Sequence, residues 1–326
     1  MTSRLVLAIS IDVECDKDER WRVRRPLAFR SVLNGIGEVL HPLFAEYNAA
    51  PTYLLSPEVL QDGECASLLG GLASCELDAH LHSEFLWNPE GVNETSRVAC
   101  GESVDVERRA LERLTELYVD AFERQPGSYR AGRYGASARS IQLLRRLGYT
   151  VDTSVTPYKR WDYGLDFRGA PVQPYYPATD DIARPGPIAG VMEIPITILP
   201  APAPPWAQRL TRELARTRVA PVRRLAKRAS SPVWLRPGWS SPRTIERIVR
   251  QASRAPGHTV LNMMFHNVDV VPGCSPNSAT AAAVARALDG VRTALETTLE
   301  VAGCFMTLRQ VKDEADRRLK GAAGRG

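Results

Sequence analysis

The stretch RLVLAISIDVE, residues 4–14, passes from a nearly unbroken apolar run to two carboxylates within a few positions. Residues 4–11 are apolar at nearly every position, which is typical of a strand that is buried on both faces of a parallel sheet. Asp12 and Glu14 follow two positions apart, so an extended chain points both side chains the same way. The stretch predicts a buried strand with acidic groups at its carboxyl end.

The same alternation of short apolar runs and amphipathic stretches continues along the chain. Further strands are predicted over 51–56, 75–82, 127–135, 150–155, 191–199, 259–267 and 303–311, and helices over 30–46, 105–122, 137–149, 242–254 and 278–301. This order predicts parallel βαβ units that form either a barrel or an open doubly wound sheet. Polar clusters at the carboxyl ends of the strands favour the barrel, although an open sheet also binds ligands there.

The end of the third predicted strand, in the sequence CELDAHLHSEFLW (75–87), carries two histidines and a glutamate at alternate positions. An extended backbone points His80, His82 and Glu84 into one space, whereas a helix places His80 and Glu84 on one face and turns His82 away. Imidazole is the better ligand for zinc-like ions, and carboxylate suits harder ions. The spacing therefore indicates a metal site and leaves its ligand set open between these two conformations.

Other predicted strands also end in polar residues, namely Arg130 in a glycine-rich turn, Asp152, and His266 late in the chain. Together with the carboxylates and histidines, these are the groups that a metal-assisted hydrolase needs. A bound divalent ion lowers the pKa of a water, a free carboxylate takes its proton, and a separate histidine protonates the leaving amine. Structural alternatives exist, since Arg130 and Asp152 could form a plain ion pair and His266 could be a core histidine.

Five ordered segments carry a family resemblance: SIDVE (10–14), ELDAHLH (76–82), RAGRYG (130–135), VDTSVTP (151–157) and NMMFHN (262–267). They resemble the motifs of the polysaccharide deacetylase, or NodB-homology, family, and most closely its bacterial branch with DVE and HxH motifs. The resemblance spans about residues 1–312. It implies a distorted (β/α)7 barrel and metal-dependent deacetylation of N-acetylated sugars.

The resemblance also implies roles for individual residues. Asp12 resembles the general base, Arg130 the arginine that orients it, Asp152 the aspartate that supports the acid histidine, and His266 that acid. Backbone N–H groups near Arg133 and Tyr134 are implied to stabilise the oxyanion.

Two departures concern the metal ligands. The family usually has histidines four residues apart, but this chain has Glu84 at the second position and an extra histidine at His82. The two acidic residues of the first motif are separated by Val13, and the second of them is a glutamate. We predict that Glu14, His80 and His82 bind the metal, and that the metal is a zinc-type ion (Zn²⁺, with Co²⁺ or Ni²⁺ as alternatives). Glu84 is then an outer partner that orients a histidine ring, or an alternative ligand.

The predicted organisation is a single barrel domain over 1–312, with insertions at about 156–190 and 200–238, and a polar C-terminal tail over 313–326. The second insertion contains a basic stretch, 206–228, which is interpreted either as a solvated helix on the barrel flank or as a contact for an anionic carrier. Neither insertion shows the regular apolar pattern of a separate domain.

Composition and the absence of certain motifs exclude several classes of protein. The chain has 326 residues, a formal charge of +5 and no apolar run long enough for a transmembrane helix. Six cysteines without a CxxC pair, and a first strand too short and too acidic for a signal peptide, favour a cytoplasmic protein. The absence of GxGxxG, phosphate-loop and GxSxG motifs disfavours nicotinamide enzymes, nucleotide hydrolases and serine hydrolases.

The predicted substrate is an N-acetylated amino sugar on a glycan, lipid, nucleotide or natural-product intermediate, and an anionic carrier such as a nucleotide or lipid diphosphate is one predicted partner. No nucleic acid is expected as a partner. The alternatives are a non-catalytic sugar-binding barrel and a hydrolase of another C–N bond, such as a cyclic amide.

Overall fold

The computed structural model describes residues 5–87, 98–200, 214, 219–222 and 231–323. Most of the basic segment 206–228 lies outside the described residues, including Arg223, Arg224, Lys227 and Arg228. The interpretation of that segment therefore stays a prediction from sequence.

Ten strands are described, of which eight belong to one parallel sheet. In chain order they are β1 (Leu5–Val13), β2 (Thr52–Leu55), β3 (Glu76–Leu81), β4 (Ser128–Ala131), β5 (Val151–Asp152), β6 (Met192–Glu193), β7 (Ile198–Leu199), β8 (Val233–Trp234), β9 (Thr259–His266) and β10 (Cys304–Phe305). The sheet runs β9-β1-β2-β3-β4-β5-β6, and β10 pairs with the amino-terminal half of β1. Strands β7 and β8 form a separate antiparallel pair.

The sheet curves into a distorted barrel, because its two ends are joined by irregular backbone and not by a full strand. After β6, the backbone N–H of Thr197 donates to the carbonyl of Asn262 in β9 at 3.0 Å. The N–H of Asn262 in turn donates to Thr197 Oγ1 at 2.7 Å. These bonds satisfy backbone groups that an open sheet edge would leave exposed.

Helices cover the outside of the barrel. They span Arg30–Leu33, His41–Glu46, Pro57–Leu60, Gly63–Gly70, Glu84–Trp87, Val104–Phe122, Ala138–Arg146, Pro242–Ser253, Ala281–Glu300 and Leu308–Ala323. A π-helical stretch, Gly35–Leu40, joins the first two within the single helix predicted over 30–46. The helices Ala281–Glu300 and Leu308–Ala323 pack on β1, which is buried at all nine positions, while Val104–Phe122 packs on β3 and Pro242–Ser253 on β9.

Several predicted strands are longer than the observed ones, including those over 127–135 and 150–155, which are reduced to β4 and β5, and two others follow a different course. The run over 191–199 divides into β6 and β7, which belong to different sheets. The strand predicted over 303–311 ends at Phe305, because Thr307 and Gln310 cap a new helix: each backbone N–H bonds the other residue's side chain. That helix continues to Ala323, through residues that the sequence analysis placed in a polar tail.

Within the described residues, no helix combines the length and the apolar character that crossing a bilayer requires.

Candidate active site

The carboxyl ends of β1, β3, β4 and β9 meet at one end of the barrel, because parallel register places their last residues side by side. Asp12 of β1 is in register with His266 of β9, and His80 of β3 is in register with Arg130 of β4. These four side chains are all buried. The barrel thus brings together residues that are more than 250 positions apart in sequence.

Two overlapping sets of three potential metal ligands converge at this end: Asp12, Glu14 and His266 form one, and the predicted ligands Glu14, His80 and His82 form the other. Glu14 Oε1 lies 3.3 Å from His80 Nε2 and 3.3 Å from His82 Nε2. The backbone stays extended from His80 to Leu81 and turns after His82, so the two imidazoles reach the same carboxylate oxygen. The ligand atoms of all three residues lie within 4.8 Å of one another.

Hydrogen bonds from the far side of each ring orient both histidines. Nδ1 of His80 lies 3.0 Å from the carbonyl oxygen of Arg130, and Nδ1 of His82 lies 3.1 Å from Glu84 Oε1. Both partners are acceptors, so each Nδ1 carries the proton that it donates. The lone pair of each neutral ring is then on Nε2, which faces Glu14.

This arrangement fits a zinc-type ion. Two ligands that each lie 2.0–2.2 Å from zinc at a tetrahedral angle are about 3.4 Å apart, close to the observed nitrogen–oxygen separations. Two imidazole nitrogens and one carboxylate oxygen also form the three-ligand set of catalytic zinc sites, which keep a further position open. Glu84 is not part of this convergence, because its Oε1 is directed at His82 Nδ1 and lies 3.2 Å from the guanidinium of Arg133.

Asp12 lies beside the three ligands, and Arg130 holds it. The fully buried guanidinium donates through Nη1 to Asp12 Oδ1 at 2.5 Å and through Nη2 to Ser10 Oγ at 2.6 Å. Its Nε donates to the carbonyl of Thr153 at 3.0 Å. Asp12 Oδ2 is directed the other way, 3.9 Å from His80 Nε2 and 3.7 Å from His266 Nε2. One carboxylate oxygen is thus fixed, and the other faces the site.

The charges of the cluster favour ionised carboxylates. Burial alone would raise the pKa of Asp12, but the charge of the Arg130 guanidinium beside it lowers that pKa below its usual value. Burial also acts to raise the pKa of Glu14, and the neighbouring Lys17 and His82 hold it well below its usual range. Burial acts to lower the pKa of His82 in the metal-free protein. The charges of Glu14 and Glu84 outweigh burial and raise this pKa to about 10.

His266 has different neighbours from those predicted. Its Nδ1 lies 3.1 Å from Nη2 of Arg236, which also lies 3.4 Å from Asp269 Oδ2. A guanidinium only donates, so Nδ1 is the acceptor and the proton of the neutral ring is on Nε2, facing the site. Burial and the charge of Arg236 both lower the pKa of His266, which favours this neutral form.

The predicted support of His266 by Asp152 is wrong in this geometry. Asp152 Oδ1 accepts from Ser154 Oγ at 2.7 Å, and in the described part of the chain no bond joins Asp152 to His266. Successive residues of a strand face opposite ways. Thr153, the next residue, faces inward and accepts from Arg130 Nη2 at 3.2 Å, so Asp152 faces outward, in register with Glu193.

The turn after β4 contributes strained backbone to the site. Arg133 and Tyr134 both have left-handed φ angles, 54° and 58°, which non-glycine residues seldom adopt. A Cβ at Gly132 would lie 2.5 Å from the carbonyl of Leu81 and 3.1 Å from the His82 ring, so only glycine fits there. The Tyr134 side chain lines the same cleft as the metal ligands and stacks on Trp161, with ring centroids 5.2 Å apart.

A cleft of about 440 Å³ opens over these residues. Its wall includes four residues that sequence reasoning missed: Lys17, Trp21, Arg236 and Trp239. Trp21 sits at the tip of a small hairpin closed by the Lys17–Val23 bridge, with its ring 5.4 Å from that of His266. These residues lie in irregular segments, where the spacing of apolar residues does not predict which side chains face the cleft. In the sequence, the aromatic residues around Arg236 in WLRPGW indicate a binding surface.

The sequence matches no family model and no curated protein. Solved structures do share its fold. A protein assigned as a polysaccharide deacetylase from Mycobacterium smegmatis is 17% identical with a TM-score of 0.54, over 98% of this chain and 92% of that one. One assigned as a glycoside hydrolase/deacetylase from Parabacteroides distasonis is 12% identical with a TM-score of 0.60, over 94% and 69%. PuuE allantoinase is 11% identical with a TM-score of 0.52, over 94% and 88%.

These similarities establish the fold alone. The chain has the distorted (β/α)7 barrel of the NodB-homology type, which confirms the fold class that the five motifs predicted.

Proposed function

We propose that this chain is a metal-dependent hydrolase of amide bonds that removes the acetyl group from an N-acetylated amino sugar. The observation that carries the proposal is the convergence of Glu14, His80 and His82 on one point beside an ionised Asp12. Two of the solved structures with this fold are assigned as deacetylases, which supports the same chemistry.

Glu14, His80 and His82 would hold the ion, most simply zinc, with Co²⁺ or Ni²⁺ as alternatives. When bound, such an ion lowers the pKa of a water and polarises a carbonyl. Asp12 Oδ2 takes one proton from the attacking water as the water oxygen bonds to the acetyl carbon. When the carbon–nitrogen bond breaks, the same carboxyl returns that proton to the leaving nitrogen.

Other groups act on charge that develops during the reaction. Arg130 keeps Asp12 ionised and fixes Oδ1, so that Oδ2 has one orientation. His266 holds its proton on Nε2 and donates a hydrogen bond to the reacting group, in place of the full acid role that the resemblance implies. The strained backbone at Arg133 and Tyr134 is proposed to present N–H groups to the oxyanion.

The decisive experiment is acetate release from a panel of N-acetylated amino sugars, free and carried on diphosphates or glycans. Metal-stripped protein is assayed with and without added zinc, and Asp12→Asn serves as the control. Zinc-dependent acetate release that is lost in Asp12→Asn is the expected result. Stoichiometric metal binding without release from any sugar in the panel would contradict the proposed reaction.

A second candidate is hydrolysis of a different carbon–nitrogen bond. The shared fold with a solved allantoinase favours it. Cyclic amides are therefore included in the panel, and turnover of these alone would replace the first proposal. Sugar binding without metal uptake, even after supplementation, would instead indicate a non-catalytic binding barrel.

A further inference from the structure

Lys17 places a buried ammonium group at the candidate metal site. Its side chain is only 5% exposed, and Nζ lies 2.8 Å from Glu14 Oε2 and 3.7 Å from Cys15 Sγ. A lysine that is buried this completely is rare unless it is paired. The proposed reaction gives it no proton-transfer step, so its presence needs another explanation.

The backbone holds Lys17 in this position from two sides. Its N–H donates to the carbonyl of Cys274 at 2.9 Å, and the residue forms an antiparallel bridge with Val23. Its ammonium also lies 5.6 Å above the ring of Phe85. These backbone and ring contacts fix the position of the Lys17 side chain, so its ion pair with Glu14 is not a chance contact of a flexible surface lysine.

This contact divides the two oxygens of Glu14 between two tasks. Oε1 faces the nitrogen atoms of His80 and His82 at 3.3 Å, while Oε2 is occupied by Lys17. Asn267 fixes the backbone of Glu14, since its Oδ1 accepts from the Glu14 N–H and its Nδ2 donates to the Glu14 carbonyl, both at 2.9 Å. A carboxylate binds a cation through one oxygen or through both. Here only one is available.

We propose that Lys17 is a positioning residue that keeps Glu14 a one-oxygen ligand and so leaves a coordination position open for water and substrate. The inference rests on the proposed metal-dependent function and deepens it. A catalytic zinc site needs such an open position, whereas a closed set of ligands is typical of structural sites. The fixed positive charge also opposes the bound cation, so Lys17 weakens metal binding while it favours catalysis.

The test uses Lys17→Met, which keeps the length of the side chain and removes its charge. In this variant Oε2 is free to join the metal, and the repulsion between ammonium and cation is lost. We expect zinc to bind metal-stripped Lys17→Met about 10-fold or more tightly than wild type, the size typical of changes next to a metal ligand. Affinity for Mn²⁺ rises more than that for Zn²⁺, because harder ions favour additional oxygen ligands. Acetate release falls in the same variant.

Three further variants make the result specific. Lys17→Arg keeps a cationic donor on Oε2 and restores affinities close to wild type. Lys17→Gln is the alternative neutral variant if the methionine variant does not fold. Lys159→Met is the matched control, because Lys159 lies over the rings of Trp161 and Trp234 at 5.8 Å and does not contact Glu14; its metal affinities stay unchanged.

Affinities for Zn²⁺ and Mn²⁺ are measured by competition with a chromophoric chelator. Unchanged or weaker zinc binding in the neutral Lys17 variants would overturn the inference. Tighter binding in a protein that releases no acetate from any sugar would retain the role of Lys17 and remove the proposed substrate. A wild-type chain that takes up no divalent ion would remove both.

Discussion

Two groups of carboxyls enclosed in this barrel have pKa values shifted in opposite directions. In the first, Asp12, Glu14 and Glu84 each lie within 3.2 Å of a basic side chain: Arg130, Lys17 and Arg133 respectively. In the second, Asp152 and Glu193 lie side by side in neighbouring strands, and one oxygen of each has no hydrogen-bond partner among the described residues. Asp12 and Glu14 are buried like Asp152 and Glu193, so burial cannot be what distinguishes the two groups.

The pKa values follow the partners. The pKa of Asp12 and that of Glu14 are lowered despite burial, and burial opposed by His82 and Arg133 leaves the pKa of Glu84 at about 2. Burial raises the pKa of Asp152, and burial together with the charge of Asp152 raises that of Glu193 well above its usual value. The first group is arranged to present anionic oxygens to a cation, and the second to retain a proton.

The largest expected effect is loss of the metal itself. We predict that His82→Ala purifies without metal, because the variant removes one of three ligands. Elemental analysis of protein supplemented with zinc measures this, with wild type expected near one ion per chain. Full metal content in the variant would place His82 outside the ligand set.

The next effect separates chemistry from metal binding. Asp12→Asn keeps an oxygen to accept from Arg130 but removes the base, so kcat falls by about 10²–10⁴-fold while metal content stays as in wild type. Steady-state acetate release and elemental analysis on the same preparation test both halves. Joint loss of metal and activity would make Asp12 a ligand and not the base.

Glu84→Gln gives a smaller effect on metal affinity. The amide oxygen still accepts from His82 Nδ1, but the negative charge beside the ring is lost, so zinc binding weakens by about 10–100-fold. Glu112→Gln is the control, since Glu112 pairs with exposed Arg108 on the helix Val104–Phe122. A loss of metal as complete as in His82→Ala would show that Glu84 binds the ion directly.

The location of the site was predictable from sequence because its residues end apolar runs. Asp12, Glu14, His80, Arg130 and His266 each follow or close a strand that is buried along its length, and parallel strands bring such ends together. The orientation of Asp152 was not predictable in the same way. Strand β5 has only two residues, Val151 and Asp152, both buried, so no alternation of apolar and polar positions reveals which side faces the barrel interior.

The charged partners of the site residues were even harder to predict from sequence. Lys17 and Arg236 reach the cleft from irregular segments whose paths depend on distant backbone contacts, such as that of Lys17 with Cys274. Periodicity describes regular elements only. The charges that set the ionisation of Glu14 and His266 therefore become visible only in three dimensions.

The last prediction concerns the raised pKa values of Asp152 and Glu193, and its effect is on stability alone. A carboxyl whose folded pKa is above its unfolded value binds its proton more tightly when folded. The tighter proton binding stabilises the folded state in full at pH values below the pKa of the carboxyl in the unfolded chain, which is 4.5 for Glu193. This stabilisation is lost as the pH rises through the pKa in the folded chain. Glu193→Gln removes this titration and lets the amide donate to Asp152, while its oxygen still accepts from the Val155 N–H, as Glu193 does at 3.1 Å.

We therefore expect Glu193→Gln to gain stability relative to wild type as pH rises from about 4.5 to about 8. Urea unfolding across that range measures the difference. Glu107→Gln is the matched control, because Glu107 is equally buried but pairs with Arg139 at 2.6 Å; removing its charge lowers stability without a comparable gain at high pH. If the free energy of unfolding of wild type and of Glu193→Gln changed with pH in parallel, the pKa of Glu193 would not be raised by folding. Burial without a neighbouring cation would then not distinguish Asp152 and Glu193 from the carboxylates of the site.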